Sequence, residues 1–125
     1  MSREIDIRII REVMKLDQSD WREDAYPCIE RRYQTDEGET VWHVFSPSED
    51  ASDAMEVVER MRVLGYDYEI RSDGDRVVVT FYCPPDSGGM SCGVDVDGPA
   101  KELCATIARS ALRAVSAAGK EPGHE

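Results

Sequence analysis

Few residues of this chain have the types and spacing that chemistry needs. His43 and Ser46 stand three apart in "VWHVFSPSED", a separation that invites a base and a hydroxyl nucleophile. Such a pair works only when the base lies within hydrogen-bond reach and a third group orients it. No G-x-S-x-G turn is present to raise the serine. His43 is the only histidine outside the C-terminal tail. A lone strand histidine without a pKa-tuned partner is more often structural than a general base. The residues therefore argue against catalysis. Metal chemistry fares no better. Cys28, Cys83, Cys92 and Cys104 form no C-x-x-C pair. Cys83 and Cys92 with His43 make a metal site only if the fold converges them. "DVDG", Asp95 to Gly98, resembles part of a calcium loop but lacks the third acidic ligand and the distal glutamate. No cofactor or metal is expected.

Binding chemistry has two candidate sets. The first suits a small, cyclic or linear, nucleotide. Ser46 and Ser48 offer hydroxyls beside the free N–H groups and positive dipole end of a helix start. Trp42, His43 and Phe45 precede them and can stack on a base. Arg71 and Arg76 supply cations. Against this set, Glu49, Asp50 and Asp53 place negative charge in the same first turns, where it already serves the dipole. The second set is the acidic face itself. At helical spacing Glu49, Asp53 and Glu56 share one outward side, with Asp50 and Glu59 nearby. Asp36, Glu37, Glu39, Asp67, Glu69, Asp73 and Asp75 add charge in strands and turns. A string of carboxylates can imitate a phosphate backbone and occupy a basic groove of a partner protein. Such contact gains mostly in on-rate and weakens with salt. A merely solvated face is the plain alternative.

The whole chain sets the frame for these sets. Its 125 residues amount to one domain, read as residues 1–118 with a disordered tail at 119–125. Net charge is −11, from 26 acidic and 15 basic residues, a balance that repels nucleic acid backbones and anionic membranes. The N-terminus lacks the basic start and apolar core of a signal peptide, and no apolar run reaches a membrane span. A cytoplasmic protein with reduced thiols is the expectation.

The elements that position these residues follow from periodicity. Ile5, Ile9, Val13 and Leu16 keep helical spacing over residues 3–16. "DQSDWREDAYP" reads as a loop, and "CIERRYQTDEGETVWHVF" as a hairpin turning at Gly38. In the next helix Ser46 is the expected N-cap, Pro47 the first helical residue and Glu49 the completion of a capping box. Ala51, Ala54, Met55, Val58, Met61 and Leu64 trace its apolar stripe, and Gly65 supplies a left-handed stop. A strand with one wet face follows, turns at Asp73-Gly74, and returns as "RVVVTFYC". That return strand is apolar on both sides, which predicts a central position covered on both faces. "CGVDVD" can pair as a short edge strand, and Pro99 opens the last helix, which Gly119 ends. The fold class is α+β: a three-layer α/β/α sandwich in the order α-β-β-α-β-β-(β)-α, with a mainly antiparallel sheet.

Residues 44–118 carry a resemblance. "SPSEDASDAMEVVERMRVLGYDYEI", a hairpin ending "VVVTF" and the helix "GPAKELCATIARSALRAV" resemble the phage ABA sandwich domain family. The matching positions are caps and core residues. The resemblance implies a small protein encoded by a phage or prophage, with a layered α/β/α fold and no agreed activity or catalytic residues to carry over. The chain departs from the family's pattern in the loop at residues 84–98 and in the charged arm at 26–45. Together with the acidic balance, it implies a non-enzymatic binding protein that antagonises a bacterial anti-phage defence system by binding a host defence protein. The alternatives are a sponge for a small nucleotide immune signal and a structural or housekeeping phage protein. A symmetric homodimer is the commonest assembly for small domains, with "AYP" and "VWHVF" as interface or as sheet cover.

Overall fold

The N-terminal periodicity becomes a helix in two parts. α1 spans Arg3–Arg8 and continues as a π-helical segment over Ile9–Met14. The wider i→i+5 turns bring an extra residue to the inner side, so Ile10 joins Ile9 and Val13 in the core. Lys15 ends the segment in the left-handed region at φ 53°, and the Leu16 N–H closes onto the Ile10 carbonyl at 3.1 Å. The computed structural model describes residues 3–23, 29–82 and 93–119. Cys28, Cys83 and Cys92, most of the loop at 84–98, and the tail beyond Gly119 lie outside the described residues.

Strands β1 (Trp21–Arg22), β2 (Ile29–Gln34) and β3 (Thr40–Phe45) form one antiparallel sheet. Ile29 stands opposite Phe45, Arg31 opposite His43 and Tyr33 opposite Val41. Those six therefore share one face, with Ile29 and Phe45 in the core. Burial is deep only at that end of the hairpin, which explains why the first arm is so polar.

The helix α2 occupies Ala51–Val63, and here the structure corrects the expected cap. Asp50, not Ser46, is the N-cap, and its carboxylate accepts from the Asp53 N–H at 3.1 Å. Asp53 reaches back to accept from the Ser46 N–H at 2.9 Å. Residues 46–49 form a separate turn. The reason lies far away in the chain: buried Asp6 on α1 accepts from the Ser48 N–H at 2.9 Å and the Ser46 hydroxyl at 3.3 Å. That pull turns Ser48 inward instead of letting the segment run on as helix. The other end of α2 follows its local signal. Gly65 sits at φ 103°. The Tyr66 N–H bonds the Met61 carbonyl at 2.9 Å and the Gly65 N–H bonds the Arg62 carbonyl at 3.0 Å. These are the paired bonds of a Schellman stop.

Strands β4 (Asp67–Asp73), β5 (Arg76–Tyr82) and β6 (Gly93–Pro99) form a second antiparallel sheet with β5 in the middle. Val77, Val79 and Phe81 point into the core. Coverage of β5 on its second face is partial among the described residues. Thr80 is buried, Val78 half-buried and Tyr82 exposed, and the flanking positions carry a polar ladder. Thr80 donates to Asp95 at 2.7 Å, Tyr82 to Glu69 at 2.7 Å and Arg76 to Asp97 at 2.9 Å.

α3 (Leu103–Gly119) follows a 3₁₀ turn at Ala100–Glu102, with Pro99 as its N-cap. Small residues let it lie close on the second sheet. A Cβ at Gly98 would stand 2.6 Å from the Thr106 Oγ1, and the Ser110 hydroxyl donates to the Val79 carbonyl at 3.1 Å. On its other sides α3 packs against α2 and the N-terminal helix. The core joins all of these: Ile9, Ile10 and Val13; Ile29 and Phe45; Val57, Val58 and Met61; Val79 and Phe81; Ile107, Ala111 and Leu112. The result is the expected α+β sandwich with antiparallel pairing. Its strands divide into two three-stranded sheets.

Candidate binding cavity beside the second helix

A cavity of about 550 Å³ opens between the β2–β3 hairpin and the start of α2, lined among others by Tyr33, Val41, His43, Asp50, Asp53 and Glu56. The strand register puts Tyr33, Val41 and His43 on one face of the hairpin, and the turn before α2 brings the carboxylates over it. His43 meets Tyr33 edge-on, with ring centroids 5.5 Å apart. Arg31 lies over the Tyr33 ring at 4.9 Å and the Phe45 ring at 5.5 Å. Its Nη1 donates to Glu56 at 2.8 Å, and the Tyr33 hydroxyl donates to the same carboxylate at 3.1 Å. Asp50 and Asp53 form no ion pair among the described residues. Burial pushes the Asp53 carboxyl above its usual range; the Ser46 N–H and the Arg31 charge oppose this, and the neighbouring charges of Asp50 and Glu56 add to it. Burial likewise raises the Tyr33 phenol. The arrangement presents aromatic edges, a little apolar wall and surplus negative charge. It suits a cation carried on an apolar stem.

The sequence-derived candidates distribute unevenly. Asp53 and Glu56 line this cavity, whereas Glu49 lines another, with Lys101, Cys104 and Arg109. Of the nucleotide set only His43 reaches the first cavity. Trp42 points to the opposite face of the hairpin, where the Arg22 guanidinium lies over its ring at 4.1 Å. Asp6 holds the Ser46 hydroxyl and the Ser48 backbone N–H, while the Ser48 hydroxyl is buried without a hydrogen-bond partner among the described residues. Arg71 and Arg76 belong to the second sheet, with Arg71 at 3.8 Å from Glu69 and Arg76 at 2.9 Å from Asp97. The Ser46 hydroxyl thus serves Asp6 while His43 meets Tyr33 edge-on. Asp95 and Asp97 lie in β6 opposite Thr80 and Val78, in strand geometry and not in a calcium loop. Among the described residues no group of three or more His, Cys, Asp or Glu side chains is placed to hold a metal ion. Burial raises the Cys104 thiol, with the charge of Asp50 adding to the effect, which disfavours the reactive thiolate.

Sequence reasoning missed Tyr33 and Val41 as cavity walls and Asp6 as an anchor. Strand alternation from His43 would have pointed to Val41. An acidic residue in the same helical register as Ile10 and Val13 was the signal for Asp6. Burial raises the Asp6 carboxyl; the bonds from Ser48 and Ser46 oppose the shift and the Glu49 charge adds to it.

The fold and its cavities define a small acidic α+β protein, and no helix among the described residues is long and apolar enough to cross a membrane. The model of the Phage ABA sandwich domain matches residues 9–118, and the chain belongs to that family. No curated protein and no solved structure matches it significantly.

Proposed function

We propose that this phage-type protein is a non-enzymatic binder that antagonises a bacterial anti-phage defence system by docking on a basic patch of a defence protein. The observation that carries this reading is the cavity beside α2. It already hosts one guanidinium of the chain's own, Arg31, between two rings and Glu56. Asp50 and Asp53 form no ion pair among the described residues, and only the more distant Arg31 charge acts on Asp53, so an arginine or lysine from a partner would meet incompletely balanced charge and a wall of Val41, Tyr33 and His43. The surrounding acidic surface, with a net charge of −11 over the chain, steers a basic partner toward it. Cys104 forms no disulfide among the described residues, in keeping with the host cytoplasm as the place of action. The Ser46 hydroxyl donates to Asp6 and His43 meets Tyr33 edge-on, so these two are not paired as nucleophile and base.

The test is phage plating on bacteria that carry single defence systems, with and without the protein. The expected result is restored plating in at least one strain, lost with Asp53→Lys and with Glu56→Lys in variants whose circular dichroism is unchanged. Binding to the purified defence protein of that strain should weaken as salt rises. Tight binding that ignores both substitutions and salt refutes the reading.

A further inference from the structure

We propose that the groove between α1 and α3 is a site for a small organic anion, a phosphate or phosphate-like group carried on an apolar or planar body. α3 is buried around most of its circumference: Ala105 to Ala108, Ser110 to Leu112 and Ala114 are all inside. Arg109, Arg113 and Ser116 emerge on its open side, and together with Ile5, Arg8 and Leu112 they line a groove of about 550 Å³. Leu112, only 4% exposed, and half-buried Ile5 make an apolar floor. No carboxylate is among the lining residues.

The charges on the rim are unusual for this chain. Arg8 is held by Glu12 at 2.9 and 3.2 Å. Arg22, Arg31, Arg32, Arg62 and Arg76 likewise each pair with a carboxylate. Arg109 and Arg113 take part in no ion pair or hydrogen bond among the described residues. They stand one helical turn apart, where like charges repel and weaken the helix. A single phosphate bridging the two forks relieves that repulsion and satisfies both guanidiniums in their preferred planar geometry. The apolar floor then takes the rest of the molecule, and the volume lies in the usual range for a small ligand. The overall negative charge of the protein does not forbid this. At physiological salt charges are screened over about 8 Å, so the local guanidiniums dominate. This site is separate from the cavity beside α2 and does not rest on the reading of that cavity.

Isothermal titration of the full chain with 1-naphthyl phosphate at physiological salt tests the assignment. The expected result is saturable binding with a Kd below about 1 mM. Arg109→Gln and Arg113→Gln should each weaken it about tenfold, while Arg76→Gln, in β5 and outside the groove's lining, leaves it unchanged. Inorganic phosphate should bind at least about tenfold more weakly, since it makes no use of the floor. The absence of saturable binding overturns the proposal. So does wild-type affinity in the Arg109→Gln, Arg113→Gln double variant with unchanged circular dichroism. Equal affinity for inorganic phosphate overturns the apolar part of the site. Stronger displacement by a hexaglutamate peptide than by the free naphthyl ester would mean that the groove docks an acidic chain segment instead.

Discussion

Replacing Asp6 separates the two things its carboxylate does, accept hydrogen bonds and carry a buried charge. The residue is 4% exposed and accepts from the Ser48 N–H at 2.9 Å and the Ser46 hydroxyl at 3.3 Å. Asp6→Ala leaves the buried Ser48 N–H without its acceptor, which costs about 1–3 kcal/mol. The half-buried Ser46 hydroxyl can turn to water and adds less. Removing a buried charge offsets part of the loss. The net expectation is a destabilisation of about 2 kcal/mol near neutral pH, or roughly 5–10 °C in Tm for a chain of this size. Asp6→Asn keeps an oxygen for the Ser48 N–H and carries no charge, so its stability should lie within about 1 kcal/mol of the parent. The pH dependence has a definite sign. Burial raises the Asp6 carboxyl, so the folded chain holds this proton to higher pH than the unfolded one. Stability therefore falls as pH rises from the ordinary carboxylate range through the raised folded value, and is level above it. Asp6→Asn should flatten that decline. Urea unfolding followed by circular dichroism at a series of pH values reads all of this. Parent-like stability in Asp6→Ala, or equal losses in the Ala and Asn variants, would refute the reasoning.

The remaining predictions concern the frame and the cavity. Gly98→Ala should destabilise by about 1–3 kcal/mol, because its Cβ would meet the buried Thr106 Oγ1 at 2.6 Å; Thr106→Ala in the same chain should recover much of the loss in a double-mutant unfolding cycle. Gly65→Ala forces a side chain into the left-handed conformation at φ 103° and should cost about 1–2 kcal/mol by thermal melt. If a cation enters the cavity beside α2, its affinity should fall as pH is lowered through the raised titration of Asp53, and calorimetry showing pH-independent affinity across that range would contradict the placement.

Much of the frame is written locally. Gly65, alone able to take the left-handed stop without cost, ends α2 whatever surrounds it. The two-sided apolar run at 76–83 marks a central strand, and Pro99 marks the entry to the last helix, because period and turn chemistry act over a few residues. The family was legible for the same reason, since caps and core spacing carry it. The start of α2 was not. Ser46 has the better local credentials as a cap, but Asp6, 40 residues earlier, takes its hydroxyl and moves the cap to Asp50.

The same limit applies to the sites. Helical spacing groups Glu49 with Asp53 and Glu56, yet only the packed hairpin decides which carboxylates share a cavity. The pair Arg109 and Arg113 is visible in the chain, but Ile5 reaches it only when the first helix packs on the last. The sequence alone set the class, the elements and the excess of negative charge, because propensity, periodicity and composition are local or summed quantities. Which polar groups end up buried, paired or left facing a hollow depends on contacts between distant segments, and only the folded chain decides those.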